Sequence, residues 1–189
     1  MTWILIRTTG FVAYAFLSAA AIWGLLVSTA VLGRGMPPKR LTYVHESLSM
    51  AAILATIGHV VFLYLDEFIE FGPPELFVPG ASAWKPTAMS LGIVAFYGLL
   101  LITASFYART RIGQRRWRLL HFASFGVFAS ALAHGIAAGT DTKTVLAVVL
   151  YSSTATAVVF LIVIRGYLLN AAVRRVRGAA VNPRAPRRK

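Results

Sequence analysis

The sequence predicts an all-α membrane protein, a bundle of five transmembrane helices with the N-terminus outside and the C-terminus in the cytoplasm. Three observations carry that expectation. First, 58% of the 189 residues are hydrophobic and only 13% are charged, with a mean hydropathy of +0.70, which is too apolar for an ordinary soluble domain. Second, five stretches reach the roughly 20 apolar residues that cross about 30 Å of hydrocarbon. Third, the cations gather in alternate connections between those stretches, the pattern of membrane topology.

Taken in order, the spans are residues 9–32, 41–65, 87–108, 117–138 and 144–169. Residues 1–8 read as an outer interfacial segment of the mature chain, because MTWILIR runs into the first span without a small-residue cleavage site. The first connection carries the helix-stopping pair Pro37 and Pro38 beside Arg34, Lys39 and Arg40. The second, residues 66–86, is the longest. It holds Pro73, Pro74, Pro79 and Pro86 with Asp66, Glu67, Glu70 and Glu75, and is expected to fold as a cap at the membrane surface. The third, RTRIGQRRWR, is short and basic. The fourth, GTDTK, is a tight turn in which Thr140 or Asp141 is placed to cap the last helix. Residues 170–189 form a basic tail without hydrophobic periodicity, suited to anionic headgroups.

Alternating spans put Arg34, Lys39 and Arg40, then Arg109, Arg111, Arg115, Arg116 and Arg118, and then the tail on one side. Short cytoplasmic loops are rich in cations, so that side is expected to face the cytoplasm and the protein to sit in the cytoplasmic (inner) membrane. The formal net charge of +13 is therefore read as topology. Its distribution around apolar spans points to lipid as the partner, and to no nucleic acid. Cysteine is absent, which excludes disulfides, iron–sulfur clusters, thiolate ligation of haem and covalent haem attachment. No Ser/His/Asp set or carboxylate pair at membrane depth supports hydrolysis, so no catalytic residue is assigned. Glu46 is the one acid within a span and reads as facing the interface.

All four histidines fall inside spans: His45 and His59 in the second, His121 and His134 in the fourth. Ionisable groups at that depth are costly and usually face a partner, a cavity or a cofactor. Each pair is separated by 14 or 13 residues, roughly 20 Å of helix, so one histidine lies near each face of the bilayer. The second and fourth spans run parallel, which sets His45 level with His121 and His59 level with His134. Two facing imidazoles at one depth are the axial set of a six-coordinate haem iron, so the expectation is two haem b groups. At about 100° per residue, a spacing of 14 keeps one face of a helix, but 13 misses it by about 140°. The fourth helix then needs a local distortion, a tilt, or rotated cofactor planes. Gly58, Gly126 and Gly135 are candidates for close approach of a flat macrocycle or, equally, for helix packing.

These residues carry a resemblance. RTTG at residues 7–10, HESLSMAAILATIGH at 45–59, VPGASAWKP at 78–86 and IGQRRWRLLHFASFGVFASALAHGIAAGTD at 112–141 are similar to the ferric reductase-like transmembrane domain family. That family includes the membrane cores of NADPH oxidases and ferric reductases, and the haem-binding subunit of the bacterial periplasmic methionine sulfoxide reductase system. The resemblance implies that His45 and His121 ligate an inner haem iron, and His59 and His134 an outer one. It implies that Arg7 pairs with a propionate of the outer haem, although an interfacial anchor reads as well. Arg118 and Arg165 are weaker candidates at the inner haem. Phe125 and Phe128 stand between the two levels, as filling or as plain packing.

The chain departs from larger members in having no GxGxxG fingerprint and no additional first helix. The expected function is transmembrane electron transfer. The donor is a cytoplasmic flavin reductase or a quinol, and the acceptor is ferric iron, oxygen or a periplasmic redox partner. The alternatives are a histidine-lined proton or ion transporter and a non-catalytic membrane anchor of a reductase complex.

Overall fold

The computed structural model describes residues 2–29 and 35–181, with side chains to residue 174. Arg34 and residues 182–189 of the basic tail lie outside the described residues. The elements are helices α1 (Thr2–Ser28), α2 (Pro38–Tyr64), α3 (Pro73–Phe77), α4 (Pro86–Tyr107), α5 (Arg109–Ile112), α6 (Gln114–Phe122), α7 (Ser124–Ala138) and α8 (Val145–Val181). Among the described residues there is no strand. Among these residues five helical stretches are long and apolar enough to cross a membrane, Gln114–Ala138 being one of them. The all-helical, five-span expectation is met.

Proline sets several starts. Pro38, Pro73 and Pro86 each occupy a first-turn position, where a missing N–H costs nothing and the fixed φ suits a helix. Two boundaries differ from the sequence expectation. α1 begins at Thr2, so the segment assigned to the interface is already helical. α8 continues to Val181, because LLNAAVRRVR contains only good or moderate helix formers and no proline. The cap of α8 also differs: the Thr144 hydroxyl accepts the Ala147 N–H, while Asp141 is engaged with Arg7.

α1 lies along α2 and α4 lies along α7, with α8 against α1; α2 and α7 scarcely approach each other. That leaves a slot between the histidine-bearing helices. Polar tethers fix the pairs. The Trp23 indole N–H donates to the Leu41 carbonyl at 2.9 Å, the Ser130 hydroxyl donates to Leu91 at 2.8 Å, and the Tyr14 and Thr154 hydroxyls meet at 2.7 Å. Such bonds replace the hydrophobic drive that is missing between helices in lipid. Midway along the slot, Ala52, Ile53, Ala95, Leu99, Ile102 and Val127 form a buried aliphatic layer. Phe128 packs instead with Tyr14, Leu25, Val158 and Leu161, with Phe125 beside it. These aromatics therefore join α7 to α1 and α8.

The 66–86 connection is folded as expected. Phe71, Leu76 and Met89 form a small core beside Trp84. The buried Asp66 accepts bonds from the Thr2 hydroxyl and the Ile69 N–H. Lys85 adopts a left-handed backbone (φ 43°, ψ 60°), which costs about 1–2 kcal/mol. Its ammonium lies 4.9 Å from the centre of the Trp84 ring and donates to the Ala137 carbonyl at 2.8 Å. A cation there satisfies the exposed end of α7 and ties it to the start of α4.

Candidate functional site

His121 and His134 lie on either side of an interruption. α6 ends at Phe122 and α7 starts at Ser124; Ala123 between them has φ −63° and ψ −12°, and its N–H bonds to Leu120 at 3.0 Å in a tightened turn. Of the three ways to reconcile a spacing of 13 with one face, local distortion is the one present. His121 then meets His45 of α2, and His134 lines the cavity that His59 also lines.

At one end, His45 and His121 face each other with ring centroids 6.0 Å apart and planes crossed by 72°. Two imidazoles on opposite sides of one metal have centroids about 6.4 Å apart, from two metal–nitrogen bonds of about 2.0–2.1 Å plus two ring radii of about 1.15 Å, a few tenths of an ångström more than the separation here. His45 is tethered through Nδ1 to the Ala20 carbonyl at 3.1 Å. A carbonyl can only accept, so Nδ1 carries the proton and Nε2 keeps its lone pair. His121 stacks on Trp117 at 5.2 Å, and Trp117 meets Phe106 at 6.2 Å. The buried Trp117 Nε1 has no hydrogen-bond partner among the described residues. A buried N–H left unmatched costs about 1–3 kcal/mol, so it marks a place for an acceptor. Arg165 lies over the Phe122 ring at 5.8 Å, and Arg118 is exposed on α6. Glu46 accepts a 2.5 Å bond from the Tyr107 hydroxyl, joining α2 to α4 at this end.

At the other end, His59 and His134 line one cavity of about 210 Å³. His59 Nδ1 donates to Ile6 at 2.9 Å and His134 Nδ1 to Ala88 at 2.7 Å, leaving both Nε2 atoms available. Arg7 lines this cavity but is paired with Asp141. The residue proposed for a propionate thus already has a carboxylate partner, which links α1 to the turn before α8.

The glycines that meet the histidines are not those singled out from the sequence. A β-carbon built on Gly58 or Gly126 meets nothing within 4 Å, and one on Gly135 meets the Tyr151 hydroxyl at 2.8 Å. Gly135 thus serves helix packing. Gly10, Gly24 and Gly92 lie against His59, His45 and His134. A signal was available: Gly10 and Gly24 are 14 residues apart, the spacing of His45 and His59 on the antiparallel neighbour.

The site suits haem on these observations: imidazoles with free Nε2 atoms, an apolar slot, close-lying glycines and an unmatched indole N–H. Among the described residues no three His, Asp or Glu side chains gather as a chelating cluster. Haem would not need such a cluster, because its macrocycle would supply most of the iron's donors and the protein only the two imidazoles of each pair.

Five membrane-length helices, with a histidine pair meeting between two of them, define as a class a multi-pass helical membrane protein with a candidate redox site. The comparison with protein families agrees. Residues 9–133 match the ferric reductase like transmembrane component, more than half of the chain, and the protein belongs to that family. The matched stretch holds His45, His59 and His121 and ends one residue before His134. No curated protein and no solved structure matches the chain.

Proposed function

We propose that the chain is a di-haem b-type cytochrome that passes single electrons from one face of the cytoplasmic membrane to the other. The observation that carries this reading is the His45/His121 pair, whose 6.0 Å ring separation suits an iron between them. His59 and His134, which line one cavity at the opposite end of the same two spans, support it. Haem iron, when bound, supplies a one-electron couple tuned by its axial ligands and their hydrogen bonds.

The chain's own residues do the remainder. His45 and His121 hold one group, and His59 and His134 the other. The carbonyls of Ala20, Ile6 and Ala88 orient three of the imidazoles. The aliphatic layer around Ala52, Leu99 and Val127 keeps water out of the span between them. At the His45/His121 end, Trp117 would offer its unmatched N–H to a carboxylate of the group, and Arg165 and Arg118 would supply further cations. At the other end Arg7, paired with Asp141, would also meet that group's carboxylate.

The His45/His121 end carries the basic connection and faces the cytoplasm. A flavin reductase docked on those cations, or a quinol, gives the electron. Ferric iron, oxygen or a periplasmic redox protein takes it at the acid-rich end. The test is the reduced-minus-oxidised spectrum of the purified protein, made with haem supplied, together with its haem stoichiometry. Two b-type haems per chain are expected, and a colourless preparation would overturn the reading.

A further inference from the structure

Three of the four histidines share one local arrangement that recurs on two different helices. The Nδ1 atoms of His59, His45 and His134 reach the carbonyls of Ile6, Ala20 and Ala88. In each case the residue four positions further along that helix is glycine: Gly10, Gly24 and Gly92. A carbonyl inside a helix is already bonded to the N–H four residues later, so an imidazole reaches its second lone pair only by lying across the side-chain position of that later residue. A β-carbon there would be 3.2 Å from His59 Cε1, 3.1 Å from His45 Cε1, and 2.7 Å from both Cε1 and Nδ1 of His134.

The fourth position tests the rule. α4 runs antiparallel to the fourth span, so the counterpart of Gly92 near His121 falls about 14 residues on, at Phe106. The carbonyl four residues earlier, Ile102, accepts the Ser105 hydroxyl at 2.7 Å. Phe106 packs against Trp117, and Trp117 stacks on His121.

We propose that Gly10, Gly24 and Gly92 are positioning residues, each opening a slot in which an imidazole lies against its helix and locks its Nδ1 on the carbonyl four residues back, while His121 is held by Trp117 instead. Resting on the di-haem reading, this makes the two cofactor sites unequal. The His59/His134 site has two main-chain locks, and the His45/His121 site has one lock and one aromatic support. Removing a lock changes the axial imidazole's orientation and basicity, and with them the iron's spin state and potential.

The experiment compares the full chain with G92A, G24A and G10A, and uses G35A as a control, where an added methyl enters open space in the first connection, away from every histidine. Alanine favours helix over glycine, so folding of the spans is not threatened. Haem per chain, low-temperature EPR of the ferric protein and a redox titration are read for each. G92A is expected to lose about half of the haem or to convert that half from low-spin to high-spin. G10A and G24A should retain haem but shift the EPR signal and potential of one site each, and the control should match the parent. A haem-free parent overturns the di-haem reading and this proposal with it. A parent with two haems whose G92A, G10A and G24A forms are indistinguishable from it overturns this proposal alone.

Discussion

The two ends of the bundle use the same ligand type and build it differently. At the His59/His134 end both imidazoles are bonded to main-chain carbonyls, and a wide cavity opens beside them. At the His45/His121 end the rings have closed to 6.0 Å, only His45 has a carbonyl partner, and an indole supports His121. The charges differ as well, with acids and the Arg7–Asp141 pair at the first end and arginines of α5 and α6 at the second. A pair of sites can therefore share its ligands and still differ in rigidity, access and field, the quantities that tune a bound iron.

The largest effect expected from breaking this comparison is loss of one site at a time. His134→Ala should reduce haem from two to about one per chain and leave the spectrum of the crossed His45/His121 pair. His121→Ala should do the reverse. Loss of both haems from either single variant would show that the ends are not independent, contrary to the aliphatic layer that separates them. The remaining EPR signals sharpen the point: planes crossed by 72° should give the more anisotropic ferric signal, seen in His134→Ala and missing from His121→Ala.

The next effect concerns Trp117. Trp117→Phe keeps an aromatic face for His121 and removes the unmatched N–H, whereas Trp117→Leu removes both. If the indole donates to a cofactor carboxylate, the bond is worth about 1.5–3 kcal/mol, on the order of 10- to 100-fold in haem retention at that end. Both variants should then lose haem, Leu more than Phe. Full retention in Trp117→Phe, measured by competition with apomyoglobin, would leave the indole only its stacking role.

The bundle and the four histidines were legible from the sequence because their signals are strong: apolar length, cation placement, and imidazoles at membrane depth. The break at Ala123 was legible only as a need, since a spacing of 13 demands some distortion but Phe122, Ala123 and Ser124 contain no proline or glycine to mark where. The helix over residues 170–181 is hidden in the sequence because its cations read as the end of the structure, although arginine and alanine are good helix formers. Gly10, Gly24 and Gly92 were missed because each acts on a histidine of another helix. Only the pairing of α1 with α2 and of α4 with α7 reveals the match. The same holds for Asp141, assigned to capping until the approach of α1 gave it Arg7.

A smaller effect separates two roles for that arginine. Asp141→Asn frees Arg7 while keeping its charge, and Arg7→Gln removes the charge beside the cavity. If Arg7 serves a cofactor carboxylate, Arg7→Gln should lower the potential of one haem, because a lost positive charge favours the ferric state. A one-electron couple moves about 59 mV for each tenfold change in relative affinity, and tens of mV is the expected scale. Asp141→Asn should leave that potential in place or raise it. If the pair is only a latch between α1 and the turn before α8, both variants should lower the melting temperature alike and neither should move a potential.

The smallest effect is expected at the opposite end. The Tyr107 hydroxyl bonds Glu46, the neighbour of His45, but at an exposed position where water replaces the lost partner. Tyr107→Phe should therefore shift the melting temperature by no more than about 2–4 °C and leave haem content unchanged. A shift in the potential of the His45/His121 haem would mean that Glu46 is held at a set distance from that site. The cationic end would then contain one deliberately placed negative charge, and the electrostatic contrast between the two ends would be smaller than their loop composition suggests.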